Sequence, residues 1–244
     1  GQAPARQAAI KAGLPLSVEA TTVNKVCGSG MQTVIMGAEA LASGTIDMVV
    51  AGGMESMTNA PYLLKKHRSG ARLGHDTAYD HMFLDGLEDA YEPGRAMGTF
   101  AQDTANAYQM TREEMDAYSI ESLARANRAI ASGAFADEVV PVTVSTRAGD
   151  VMVEHDEAPS KGRPDKIPQL KPAFAKDGTI TAATSSSISD GAAAVVLTRQ
   201  SVADAKGAKP VARLVAHAAH AQEPKDFTIT PVGAINKVLA KAGW

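Results

Sequence analysis

The sequence is poor in cysteine: Cys27 is the only one in 244 residues. One thiol cannot close an internal disulfide, so the composition points to a reducing compartment, the cytoplasm. No cysteine–histidine pair shows metal-ligand spacing, so a metal site finds no support. Nowhere does an apolar run approach the ~20 residues of a membrane span, and no charged-then-apolar signal segment opens the chain. Excess charge of one sign is missing too: 24 Lys and Arg stand against 27 Asp and Glu, a net charge of -3. That offers no footing for nucleic acid or an anionic membrane. What is there is an ordinary soluble composition, 45% hydrophobic and 21% charged, in a chain long enough for one large or two small domains.

Local patterns predict an α/β protein. Gln7 to Ala12 reads as the tail of a helix with Gly13 in the stop position. Ser17 to Val26 is expected to be a strand. Ser29 to Ala42 is expected to be a helix ending before Gly44, and its apolar residues run nearly all round, which predicts burial on every side. Ile46 to Ala51 is an apolar run broken only by Asp47, and is read as a parallel strand covered on both faces. Strand, helix and strand in that order make a β-α-β unit. Residues 58 to 98 show no clear period. Helices are expected at Thr99 to Gln109 and Arg112 to Ala131, the second with a capping box from Thr111 and Glu114 and a stop at Gly133. Two strands flank a turn at Ala148-Gly149-Asp150. Residues 158 to 172, rich in Pro and Lys, read as a surface excursion, and "TITAATSSSISDGAAAVVLT" as strand, polar loop, strand. Ser201 is expected to cap a short helix, Val211 to Ala219 to be a strand, and Pro231 to Ala242 a last helix. The abrupt ends lead us to expect a fragment of a longer chain.

Cys27 falls at the expected strand-to-helix turn, followed by Gly28-Ser29-Gly30. A helix N-terminus favours negative charge, and that setting favours thiolate, the nucleophilic form of cysteine. Gly28 and Gly30 let the backbone turn sharply and let a substrate come close. A buried structural cysteine, acting as a small hydrophobe, fits the position alone equally well.

The flanking segments decide further. "NKVCGSGMQTVIMGAEAL" and "VVAGGMESMTNAPYLL" resemble the thiolase family, and within it the bacterial acetyl-CoA acetyltransferases. "MFLDGLEDAY", "GRAMGTFAQDTA", "KIPQLKPAF", "GTITAATSSSISDGAAAVVL" and "LAKAGW" resemble thiolase segments in the right order, so the resemblance covers essentially the whole chain. It implies a layered α/β/α/β/α fold with an inserted loop domain, incomplete at both ends. It divides the chain into part of the N-terminal half (1–57), the inserted loop domain (58–180), a return to the N-terminal half (181–222) and the start of the C-terminal half (223–244). It implies a cytoplasmic acyltransferase of lipid metabolism, with no permanently bound cofactor and with coenzyme A and acetyl-CoA as substrates.

The same resemblance implies that Cys27 takes an acyl group from a thioester, condensing two acetyl-CoA to acetoacetyl-CoA or running the reverse thiolysis. Leu87, Met97, Phe174 and Ala182 correspond to apolar contacts of the pantetheine arm, and Ser186 to a hydroxyl that meets a pantetheine amide. Thr184 departs from the family's usual Asn, and Ala96 from a His found in some members. Near Ser160, only Lys161 and Arg163 stand where some members stack an Arg on adenine, and lysine stacks poorly. The family's Asn-Glu-Ala-Phe segment, Gly-His-Pro segment and second glycine-flanked Cys have no counterpart here. None of the six histidines (His67, His75, His81, His155, His217, His220) sits in a Gly-His-Pro context, so the chain by itself is expected to be a poor catalyst or none. The glycines of "GGMES" either let backbone approach Cys27 or form a structural turn. Lys65-Lys66-His67-Arg68 reads as a solvated loop, in an insertion that in many thiolases contributes to subunit pairing. A homodimer or homotetramer is implied, without nucleic acid or membrane partners. A longer-chain 3-ketoacyl-CoA thiolase and a non-catalytic acyl-CoA-binding relative remain alternatives. A decarboxylating condensing enzyme fits less well.

Overall fold

In the computed structural model, which describes residues 1–244, the chain divides into two units. The first holds Gly1–Gly86, Ser189–His220 and Val232–Trp244; the second holds Leu87–Ile188 and Ala221–Pro231. Along the chain the helices are α1 (Pro4–Lys11), α2 (Ser29–Ala42), α3 (Met97–Ala107), α4 (Arg112–Ala131), α5 (Glu157–Lys161), α6 (Gln200–Ala205) and α7 (Thr230–Ala242). The strands are β1 (Met48–Ser56), β2 (Tyr62–Leu64), β3 (Ala78–Asp80), β4 (Val142–Thr146), β5 (Gly149–Val153) and β6 (Asp190–Thr198).

The centre of the first unit is the β1–β6 ladder with α2 packed on one face. The ladder is antiparallel, running from Met48 opposite Thr198 to Ser56 opposite Asp190. This corrects the expected β-α-β unit. The apolar run does form a strand, but its partner is β6, because residues 17–26 form no ladder. The segment is tied to α1 instead: the Arg6 guanidinium donates to the Val18 carbonyl and to that of neighbouring Leu16, and Ala5 N–H donates to the Thr22 hydroxyl. Residues 211–219 likewise form no strand; Lys237 and Lys241 of α7 donate to the carbonyls of Ala219 and His217. Gly37 is what lets α2 lie close on the sheet, since a Cβ there would come 2.9 Å from Val49 and 3.2 Å from Leu197. Leu41 and Ala51 are buried in this packing, a burial of the kind that contributes about 1.5–3 kcal/mol for a full leucine side chain. The helix is not covered all round: Met31 is 74% and Met36 41% exposed, because only β1 and β6 pack extensively against it. Ser201 lies inside α6 and caps nothing. Arg199 stands at the N-cap instead, and its guanidinium ties Leu41 O, Ile46 O and Asp47 together.

The second unit is built on α3 and α4. The capping box of α4 forms as expected: Thr111 Oγ1 accepts from Glu114 N–H, and the Glu114 carboxylate accepts from Thr111 N–H. Gly133 (φ 70°) stops the helix in the left-handed region. Residues 158–172 are more than a surface excursion. Ile167 is buried, and Arg112 of α4 donates to the carbonyls of Ile167 (3.0 Å) and Leu170 (2.9 Å) while its Nε pairs with buried Asp116 at 2.7 Å. Residues 179–181 form no strand, for the reason given below. The β4–β5 hairpin turns through Arg147-Ala148, one residue earlier than the sequence indicated, with Gly149 (φ 116°) opening β5.

Candidate active site

Cys27 is exposed and stands immediately before Gly28, the N-cap of α2. The opening turn of α2 has no side-chain cap, so its N–H dipoles face the cysteine loop. The residue before the thiol is strained. Val26 has φ 47°, a left-handed conformation that is an outlier for a β-branched side chain and costs of order 1–3 kcal/mol. Neighbours over-determine it. Asn24 Oδ1 accepts from Val26 N–H at 2.9 Å, Ser29 Oγ donates to Val26 O at 2.6 Å, and Lys25 N–H donates to Ser29 Oγ at 2.8 Å. Strain held by surrounding bonds is a mark of a functional turn.

Glycines bring strand β1 to this turn. A Cβ on Gly53 would lie 3.2 Å from Gly30 Cα, and one on Gly52 would lie 2.3 Å from Ala193 O. Thr33, one turn into α2, fastens the approach. Its hydroxyl accepts from Gly52 N–H at 2.9 Å and lies within donating distance of Gly30 O (2.7 Å) and Gly52 O (3.0 Å). The "GGMES" segment is therefore strand, not turn, and its glycines meet Gly30 rather than Cys27 itself. Past its end, Asp190 accepts from Ser56 Oγ and from the Thr58 hydroxyl and N–H. These bonds, the Thr58 hydroxyl first, hold its carboxyl below the usual aspartate pKa.

Cys27 belongs to the first unit, and Leu87, Met97, Phe174, Ala182 and Ser186 belong to the second. Within that unit the backbone brings Leu87, Met97 and Phe174 near one another. Glu88 and Ala96 form an antiparallel bridge, so Leu87 and Met97 flank its next step. Phe174 lies over Gly98, where a Cβ would come 2.2 Å from the ring. Phe174, alone of the five, lines an open cleft of about 710 Å³ together with residues that include Arg95, Ala96 and Thr99. Ala182 opens a 3₁₀ turn (Ala182–Thr184) capped by buried Thr181, and exposed Ser186 follows it. Thr184 is occupied locally, its hydroxyl accepting from Thr181 N–H at 2.8 Å. Lys161 is paired with Glu157 at 3.0 Å.

Three residues here had escaped notice in the sequence. Strained Val26 is one. Arg95 is another: it stacks over Phe100 with its guanidinium carbon 3.6 Å from the ring centroid, pairs with Glu92 and Asp103, and is held above its usual pKa by them. The third is Gln102, which is 4% exposed. Its Oε1 accepts from Thr179 N–H (2.9 Å) and Ile180 N–H (3.1 Å), which removes residues 179–181 from any strand ladder. Phe100 in turn meets Phe227 edge-on at 6.1 Å. No group of three His, Cys, Asp or Glu side chains is arranged to hold a metal ion, and no helix is long and apolar enough to cross a membrane.

Comparison with known proteins fits this geometry to a family. The family description "Thiolase, N-terminal domain" matches residues 1–201. A probable acetyl-CoA acetyltransferase of Dictyostelium discoideum is 46% identical over 244 residues, covering 100% of this chain and 59% of that protein. Acetyl-CoA acetyltransferase 1 of Arabidopsis thaliana is 47% identical over 246 residues, with 100% and 59% coverage. Among solved structures, Acat5 thiolase from Ascaris suum in complex with coenzyme A superposes with a TM-score of 0.91 at 43% identity, over 100% of this chain and 62% of that one. The chain thus spans about 60% of the length of the relatives it matches. Its fold is the thiolase fold, and the chain belongs to the thiolase family.

Proposed function

We propose that the intact protein moves acyl groups between coenzyme A thioesters, with Cys27 as nucleophile and acetyl-CoA as donor. The observation that carries this is an exposed thiol on a strained turn ahead of an uncapped helix start, in a chain that matches acetyl-CoA acetyltransferases along its whole length. In the first step the Cys27 sulfur, as thiolate, attacks the acetyl carbonyl carbon. The carbon–sulfur bond to coenzyme A breaks, coenzyme A leaves as its thiolate and takes a proton, and acetyl-Cys27 remains. In the second, the α-carbanion of another acetyl-CoA attacks that acetyl group, giving acetoacetyl-CoA and free Cys27; thiolysis is the reverse. Neither a Gly-His-Pro segment nor a second cysteine is present in these residues, so the base of the second step is assigned to none of them.

Leu87, Met97, Phe174 and Ala182 are assigned to the pantetheine arm and Ser186 to one of its amides, a reading supported by the coenzyme A complex of the Ascaris relative. The inserted segment 58–180 is assigned to a loop domain. The protein is assigned to the cytoplasm and to a homodimer or homotetramer; exposed Tyr62, Leu64 and Leu73 in that segment support a subunit contact there.

The test is intact mass after incubation with acetyl-CoA. An acetyl adduct on the intact protein, lost in Cys27→Ala, is the expected result. Binding of coenzyme A with no adduct would make the protein a binder rather than an enzyme. A profile of acyl-chain lengths peaking beyond four carbons would move it to the longer-chain thiolases.

A further inference from the structure

We infer that Gln102 is a positioning residue for the thioester arm: it fixes the segment that carries Phe174, Ala182 and Ser186. This rests on the assignment of those residues to the coenzyme A site. The side chain comes from the middle of α3 and is 4% exposed. Two backbone N–H groups, of Thr179 and Ile180, point at one of its atoms, at 2.9 and 3.1 Å. Backbone N–H can only donate, so that atom is the carboxamide oxygen. The nitrogen then donates to Thr179 Oγ1 at 3.1 Å and Asn106 Oδ1 at 2.9 Å. Every hydrogen-bonding capacity of the carboxamide is used, and three of its four bonds go to two consecutive residues of one loop.

From that clamp the site residues hang in both directions. On one side, Ile180 O accepts from Ala173 N–H at 2.9 Å, which sets the next residue, Phe174, over Gly98. On the other, Thr181 is wholly buried and caps the turn that holds Ala182; its carbonyl accepts from Ser185 Oγ at 2.8 Å, one residue before Ser186. Gly178 is shaped for the clamp, because a Cβ there would come 2.5 Å from Gln102 Oε1. A buried amide serving only stability could bond anywhere on α3 or α4; this one bonds the loop that Ala182 and Ser186 follow and to which Ala173, next to Phe174, is tied.

The experiment is steady-state kinetics of the intact protein with coenzyme A thioester, together with thermal unfolding. Gln102→Met keeps length and helix propensity but leaves Thr179 and Ile180 N–H without an acceptor. It is expected to raise KM for the thioester about tenfold with kcat within about twofold, the pattern of lost binding-site geometry. Gln102→Glu keeps both acceptor bonds and is expected to restore KM to within about threefold of the parent. Gly178→Ala, which pushes the loop off the clamp from the other side, is expected to reproduce the KM effect, and it decides the matter should Gln102→Met fail to fold. A lowered melting temperature with KM unchanged in Gln102→Met or Gly178→Ala overturns the inference, as does a fall in kcat alone. If the parent protein neither forms the Cys27 adduct nor binds coenzyme A, the functional assignment itself has failed.

Discussion

Replacing Thr33 with valine tests how α2 is fastened to β1. The change is nearly isosteric, and both residues are β-branched, so helix propensity is almost unaffected. What disappears is the hydroxyl that accepts from Gly52 N–H at 2.9 Å and returns its own hydrogen to Gly30 O or Gly52 O. Gly52 can use its N–H this way because β1 has a partner strand on one edge only. A buried donor left unpaired costs about 1–3 kcal/mol. Thr33 and Gly52 are only half-buried, which places the loss in the lower half of that range, and the added methyl returns a few tenths of a kcal/mol. The net expectation is a loss of about 1–2 kcal/mol, or about 2–8 °C in Tm for a chain of this size. Thermal and urea unfolding of the intact protein measure it. Thr33→Ser, which keeps the hydroxyl, should lose less. If Thr33→Val is no less stable than Thr33→Ser, the hydroxyl strap is not what holds helix to strand.

Arg112→Met should destabilise by about 3–5 kcal/mol, because it strips buried Asp116 of its partner and the Ile167 and Leu170 carbonyls of theirs; Arg112→Met with Asp116→Asn should recover part of that loss in a double-mutant cycle by denaturant unfolding. Asp190 has a folded pKa below its unfolded value of about 3.9, so its contribution is fully present above that value and is lost as pH falls through the folded pKa. Unfolding of parent and Asp190→Asn across pH 6 to 3 should show the parent's advantage at the high end and its narrowing toward the low end.

Helices α2 and α4 match the sequence expectation residue for residue, since their signals are local: Thr111 with Glu114 at one end of α4, Gly44 and Gly133 past two C-termini. The failed strands share one feature. Residues 17–26, 179–181 and 211–219 have strand-like side chains, but side chains from elsewhere claim part of their backbone: Arg6 takes the Val18 carbonyl, Gln102 the Thr179 and Ile180 N–H groups, and Lys237 and Lys241 the Ala219 and His217 carbonyls. No periodicity shows such claims. The antiparallel sense of β1 was equally hidden, because β6 lies 134 positions beyond its end. In the candidate site, the place of Cys27 was legible from its glycines, and five further positions came from the family resemblance. Gln102 was not legible: a polar residue on a helix reads as solvated until the loop that covers it is known. The left-handed Val26 was hidden because nothing in a valine announces φ > 0.

The long return from β1 to β6 also shapes how the molecule comes into being. Bringing Ser56 to Asp190 closes a loop of 134 residues, an entropic cost about 3 kcal/mol above that of a tight hairpin of about four residues. Such distant pairings form slowly and late. During synthesis the thiol and its turn emerge before β6, so the β1–β6 ladder cannot be completed until Thr198 has been translated. Cys27, the candidate nucleophile, is thus made well before the strand that completes the ladder on which α2 packs.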